Sequence, residues 1–120
     1  MIKKTLVLGA SKNANRYSNL AIHKLVDNNI ETVAVGKEEG YVNEVKIYSN
    51  VKNFKGIHTI TLYLNKMHQL SYYQYIINLK PKRVIFNPGT ENIELEKLLT
   101  EHNIKFEKAC TLVLLSIGEF

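Results

Sequence analysis

Hydrophobic and polar positions along the chain switch between a short-strand pattern and a helical one several times. "KTLVL", residues 4–8, is an apolar run ended by Gly9, the pattern of a buried strand. Residues 18–29 place Leu20, Ala21, Leu25 and Val26 at helical spacing, and Asn28-Asn29 suits a helix exit. "ETVAV", 31–35, is β-branched and apolar again, with Gly36 as its stop. An irregular stretch follows, in which "VKIY" (45–48) reads as a minor strand and "VKNFKG" (51–56) as one helical turn. "HTITLYL", 58–64, alternates cleanly, with Thr59, Thr61 and Tyr63 opposite the apolar side, which predicts an edge strand. Asn65 caps a predicted helix over 66–79 whose inward stripe is Met67, Leu70, Tyr73 and Ile77, and Pro81 closes it. "RVIFN", 83–87, is a fourth strand ended by Pro88-Gly89. Thr90 or Asn92 caps a helix over 92–102 with Ile93, Leu95, Leu98 and Leu99 inward, and "IKFEKA", 104–109, is a fifth strand. The apolar tail "CTLVLLSIG" packs on the body as a short helix.

Strands alternating with helices need crossover connections, so they predict a parallel sheet covered on both faces. With 58–64 at an edge, the order is 3-2-1-4-5. The predicted fold is therefore α/β: a Rossmann-like, doubly wound three-layer sandwich on a five-stranded parallel sheet, as one domain over residues 1–120. Ligands of such sheets bind beyond the carboxyl ends of the strands, where the winding reverses. That brings together "GASKNANRYS" (9–18), "GKEE" (36–39) and "NPGTEN" (87–92).

Composition is ordinary for a globular protein, with 45% hydrophobic and 22% charged residues. No window is long and apolar enough for a membrane span. The start "MIKK" is basic, but the apolar run Leu6–Leu8 before Gly9 is too short for a signal-peptide core. With a single cysteine, Cys110, there is no internal disulfide framework, and a cytoplasmic location is expected. The net charge of +5 has a definite place. Lys3, Lys4, Lys12, Arg16 and Lys24 all precede the first acid, Asp27, and beyond that point basic and acidic residues balance. The excess therefore surrounds the first turn, where it would draw an anionic ligand.

That turn lacks the glycine series of a dinucleotide fingerprint. Gly9 keeps the tight turn, Ala10 and Ser11 follow, and Ser11 offers a hydroxyl. Ser18 is expected to cap the coming helix, whose N-terminal N–H groups favour an anion. Lys12 and Arg16 add charge, and a guanidinium grips phosphate oxygens in pairs. After the second strand an NAD site usually carries an acid for the ribose, whereas this chain has Gly36-Lys37 before Glu38 and Glu39. A lysine there suits a ribose that bears a further phosphate, as in coenzyme A or NADP. A shift of two residues would bring Glu38 into that place instead.

The chain resembles the small stand-alone CoA-binding proteins, relatives of the N-terminal CoA-binding domain of the succinyl-CoA ligase α-subunit. The likeness runs over nearly the whole length. It rests on "VLGAS" with Arg16 and "YS" (Tyr17-Ser18) before the first helix, on "VKIYSNV", on "FNPGTEN" and on "EKACTLV". It implies a diphosphate site lined by Gly9, Ala10, Ser11, Arg16 and Ser18. It also implies an adenosine end beside the loop at Gly36-Lys37, and a cleft faced by Leu64, Asn65, Asn87, Pro88 and Gly89. Two departures stand out. The family commonly has Asn-Pro where this chain has Gly36-Lys37, and an arginine where it has Ala109.

The implied ligand is coenzyme A or an acyl-CoA, with NADP or NAD as the alternative. Catalytic chemistry is not expected. His23, His58, His68 and His102 fall on separate elements and make no ligand set, so no metal site is predicted. Cys110 has no nameable activating base. Glu91 and Glu94 read as first-turn acids that complement a helix dipole. Nucleic acid is not an expected partner, because Tyr72, Tyr73 and Tyr75 sit in a mostly apolar helical pattern. The third class, compatible with ligand binding, is a homodimer or interaction module built on that tyrosine helix and the apolar tail.

Overall fold

The first two apolar runs form β1 (Thr5–Ala10) and β2 (Thr32–Gly36) of a seven-stranded sheet in a computed structural model that describes residues 3–120. The first two residues of the expected 1–120 domain lie outside that range. The remaining strands are β3 (Gly40–Val42), β4 (Val45–Tyr48), β5 (Thr59–Leu62), β6 (Arg83–Phe86) and β7 (Lys105–Lys108). The order is β3-β4-β2-β1-β5-β6-β7, and every neighbouring pair is parallel except β3 with β4.

The predicted five-strand order is thereby corrected. Residues 58–64 supply β5, which lies between β1 and β6 and not at an edge. The alternation misled because Thr59 and Thr61 are fully buried, yet each hydroxyl has a partner. Thr61 Oγ1 shares a hydrogen bond of 2.8 Å with Thr111 Oγ1, and Thr59 Oγ1 accepts from Arg83 Nε at 3.0 Å. A threonine satisfied in this way packs like valine at a central strand. The true flank of β2 is the minor strand "VKIY", as β4. It is reached through a two-residue hairpin turn whose Asn43 and Glu44 both have positive φ, the primed geometry that matches strand twist.

Five helices cover the sheet: α1 (Tyr17–Asp27), α2 (Lys66–Gln69), α3 (Tyr73–Leu79), α4 (Ile93–Glu101) and α5 (Thr111–Ser116). Ile22 and Leu25 of α1 and Leu115 of α5 pack on one face with Val7, Ala34 and Ile85. Ile76, Ile77, Leu95 and Leu99 pack on the other with Leu6, Leu8, Ile60 and Phe86. The layers are those expected.

Three helical readings change. The 66–79 segment is broken by a 3-10 turn at Leu70–Tyr72, so its buried residues are Gln69, Ile76 and Ile77, while Met67 and Leu70 are 82% and 62% exposed. Ile93, predicted inward, is 70% exposed. "VKNFKG" forms no helix; it is tied down by Tyr75, whose hydroxyl donates to the Lys52 carbonyl at 2.6 Å. The remaining caps follow their chemistry. Asn65 accepts from His68 N and Asn92 from Leu95 N, as capping amides do. No described helix is long and apolar enough to cross a membrane.

Candidate functional site

The winding reverses between β1 and β5, and a cleft of about 640 Å³ opens past their carboxyl ends. One wall is the turn after β1, with Gly9, Ala10, Ser11, Lys12, Arg16, Tyr17 and Ser18. Lys37 and Glu38, after β2, close one end, and Tyr63, Leu64, Asn65, His68, Pro88, Gly89 and Thr90 form the opposite wall. Twelve of the fourteen residues singled out in the sequence line this single cleft.

The turn is ordered by its own side chains where a dinucleotide loop relies on glycines. Ser11 Oγ accepts from Asn13 N at 3.0 Å, Asn13 Oδ1 accepts from Asn15 N at 2.9 Å, and Asn13 O accepts from Arg16 N at 3.0 Å. Two successive side-chain turns of this kind substitute for a glycine backbone. Asn19, buried in α1, donates to Ser11 O at 3.0 Å and ties the turn to the helix. Gly9 itself is needed for two reasons. Its φ is +96°, and a Cβ there would stand 2.9 Å from the Tyr63 carbonyl carbon and 3.0 Å from Leu64 Cγ. The β1 end is therefore pressed against the β5 end, at the base of the cleft.

Ser18 is not the cap. Arg16 occupies the N-cap position with extended backbone (φ −89°, ψ 142°) and makes no side-chain cap bond, and the first turn of α1 contains no acid. Ser18 lies buried one position inside the helix. The first N–H donors of α1 are thus left without a side-chain acceptor, at the positive end of the helix dipole. Around them stand Lys12, Arg16 and Lys37. Neither ion pair among the described residues, Lys4–Glu31 and Arg83–Glu107, involves any of the three. Among the described residues, Glu38 is the single acid lining the cleft.

Two of the fourteen residues lie outside the lining. Gly36, at the end of β2, pairs with Ala10, and a Cβ there would collide with the Ala10 carbonyl group. It permits the close approach of β1 and β2, a packing role. Asn87 lies beneath the cleft, buried. It donates to Thr61 Oγ1 at 2.6 Å and to Leu62 O at 2.9 Å, and accepts from Thr111 N at 2.8 Å.

Sequence reasoning missed Gln69. Fully buried, it donates to Leu64 O at 2.8 Å and to Thr90 O at 2.7 Å, and accepts from Asn92 Nδ2 at 2.9 Å. It locks the two loops of the far wall together. The available signal was a long amide four residues after a capping asparagine, which reads as a solvent-facing side chain unless the helix break is known. Tyr63 was also missed as a lining residue. Burial pushes its hydroxyl up to about 12, and the neighbouring Thr61 and Thr111 hydroxyls only partly oppose this. The buried oxygen has no hydrogen-bond partner of good geometry among the described residues. Tyr63 is therefore a neutral wall at ordinary pH.

The unfolded chain's tyrosine ionises near 10, while folded Tyr63 keeps its proton to about 12. The unfolded state thus binds fewer protons in that window. The stability present below pH 10 falls as pH rises toward 12, by on the order of 1 kcal/mol at pH 11 from this group alone. Denaturant unfolding at pH 8 and pH 11 should show a smaller alkaline loss in Tyr63→Phe than in the wild type. Equal losses in both would refute the assignment.

A mostly parallel sheet with helices on both faces and an anion-suited cleft at its switch point marks a Rossmann-like α/β domain. The chain belongs to the CoA-binding domain family, whose model matches residues 3–116. A solved structure of an uncharacterized protein is similar at 49% identity with a TM-score of 0.96, over 100% of this chain and 99% of the other. A protein from Thermus thermophilus shares the fold at 19% identity and TM-score 0.85, over 99% of this chain and 91% of its own. A hypothetical protein from Pyrococcus horikoshii does so at 23% identity and TM-score 0.83, over 92% and 79%. No curated protein matches the chain.

Proposed function

We propose that the protein binds coenzyme A, or an acyl-CoA, in the cleft between the ends of β1 and β5, as a binding domain without a reaction of its own. One observation carries this reading. The uncapped, acid-free start of α1 opens into a cleft that also holds Lys12, Arg16 and Lys37, none of them in an ion pair. A diphosphate is the ligand group that such a place suits. Ser11, the turn amides and the first N–H groups of α1 would hold it, with Arg16 as its counter-charge. The loop at Lys37 would take the ribose end, and the far wall from Leu64 to Thr90 the rest. The cleft is of the size usual for small-molecule sites. Family membership supports the choice of coenzyme A.

A dinucleotide is the second reading: Lys37 suits the further phosphate of NADP, and Glu38 beside it the ribose hydroxyls of NAD. The subunit-interface expectation has Met67 and Leu70 of the tyrosine segment and Val113 and Ile117 of the tail to draw on, all exposed.

Calorimetry with CoA, dephospho-CoA, NAD and NADP tests these readings. CoA should bind most tightly, and less tightly as salt screens the three cations. Removing both Arg16 and Ser11 (Arg16→Ala with Ser11→Ala) should weaken CoA about 100-fold, the loss of a charge-assisted contact and a hydroxyl contact. Tighter binding of NADP than of CoA would favour the second reading. No binding of any of the four would overturn both.

A further inference from the structure

The side chain of Lys12 lies across the bare backbone of Gly40, the first residue of β3. A Cβ at Gly40 would stand 2.8 Å from Lys12 Cγ and 3.2 Å from Cε, and would overlap Cδ. The φ of Gly40 is not positive, so no backbone strain calls for glycine here. What it supplies is room for the lysine stem. Lys12 thus bridges the turn after β1 and the β3–β4 hairpin, and it still lines the cleft.

The direction of the stem matters. The diphosphate position is set by the start of α1, whereas Gly40 lies four residues past the end of β2, toward the sheet edge formed by β4 and β3. In folds of this type the ribose lies at the end of the second strand. Lys37 lines the cleft from that same end. A stem packed flat on backbone has already lost much of its rotamer freedom, so its ammonium is placed at lower entropic cost than that of a free surface lysine.

We propose that Lys12, seated on Gly40, reads a phosphate monoester on the ribose end of the ligand. Lys37 is the second, more loosely held cation at that phosphate, and Gly40 is a positioning residue that acts through Lys12. This rests on the reading of the cleft as a CoA site.

The test compares CoA with dephospho-CoA by calorimetry in wild type, Lys12→Met, Gly40→Ala and Lys37→Met. The methionine keeps the apolar stem and removes the charge; the alanine keeps the charge and displaces the stem. Wild type should favour CoA over dephospho-CoA by about tenfold or more, the ratio expected for a charge-assisted phosphate contact. That ratio should fall to about twofold in Lys12→Met and about threefold in Gly40→Ala, and least in Lys37→Met. Dephospho-CoA should weaken less than CoA in each variant, because it lacks the phosphate that Lys12 and Lys37 are assigned to read while its diphosphate still feels their charge. Lys12→Met requires no backbone rearrangement, so it decides the matter even if Gly40→Ala folds poorly. An unchanged ratio in Lys12→Met, or equal weakening of both ligands, would overturn the assignment. Wild type that binds both ligands equally would overturn it while leaving the CoA reading intact. Wild type that binds neither would overturn the CoA reading, and this assignment with it.

Discussion

Replacing Asn87 with alanine is expected to lower the unfolding free energy by about 3 kcal/mol, because two buried groups would lose their partners at once. The side chain accepts from the Thr111 amide at 2.8 Å and donates to the Leu62 carbonyl at 2.9 Å, and both residues are fully buried. It also donates to Thr61 Oγ1, within the pair that Thr61 forms with Thr111. A single amide thereby joins β5, β6 and the start of α5. Alanine leaves an orphan N–H and an under-satisfied C=O among buried groups. In a chain of this size the melting temperature should drop by roughly 10 °C. Aspartate makes a sharper comparison, since it keeps an acceptor for Thr111 but sets a carboxylate oxygen against the Leu62 carbonyl. Thermal and urea unfolding of Asn87→Ala and Asn87→Asp measure both effects. A loss below about 1 kcal/mol in the alanine variant would mean that water replaces the amide and that the network is not a structural joint.

Asn87 also shows how much was legible in the sequence. Its position at the end of a strand, before Pro88-Gly89, marked it for the cleft. The residues that follow it, Pro88 to Thr90, line that cleft, while Asn87 itself does not. What the sequence does not carry is direction. Asn87 turns down into the sheet because Thr61 and Thr111, 26 and 24 residues away, are waiting there with a hydroxyl and an amide. The same long-range satisfaction hid the central place of β5. Thr59 and Thr61 read as a solvent-facing row, since a polar residue in an alternating run is exposed unless something distant completes its hydrogen bonds. Gln69 belongs to the same group, an amide buried only because two loop carbonyls and Asn92 meet it. The β3–β4 hairpin was missed for a local reason. Asn43-Glu44 adopts a turn normally signalled by Asn-Gly, and the glutamate gives no hint of positive φ. The cation cluster, by contrast, was readable from charge order alone, because Lys12 and Arg16 are carried on one short turn.

Gly9 is where fold and cleft are most tightly coupled, and alanine there should be the more damaging of two glycine replacements. Gly9 and Gly89 have nearly the same positive φ, +96° and +91°, and both line the cleft. At Gly89 a Cβ would meet nothing within 4 Å, so alanine incurs backbone strain alone, about 1–2 kcal/mol. At Gly9 the Cβ would also press on the Tyr63 backbone and the Leu64 side chain, at 2.9 Å and 3.0 Å. Backbone cannot swing aside as the tip of a flexible chain does, so the β1 end must lift off the β5 end. The combined strain and overpacking should cost about 3–4 kcal/mol. Ligand binding should separate the two sites further. Lifting β1 moves Ala10, Ser11 and the start of α1 away from the far wall, so Gly9→Ala should lose CoA binding even at temperatures where it remains folded. Gly89→Ala should keep most of its affinity. Chemical denaturation and CoA calorimetry on the two variants, side by side, give both numbers. If Gly9→Ala proved no worse than Gly89→Ala in stability, the contact between the strand ends would not be a constraint. If it bound CoA normally while folded, the first turn would not hold the ligand.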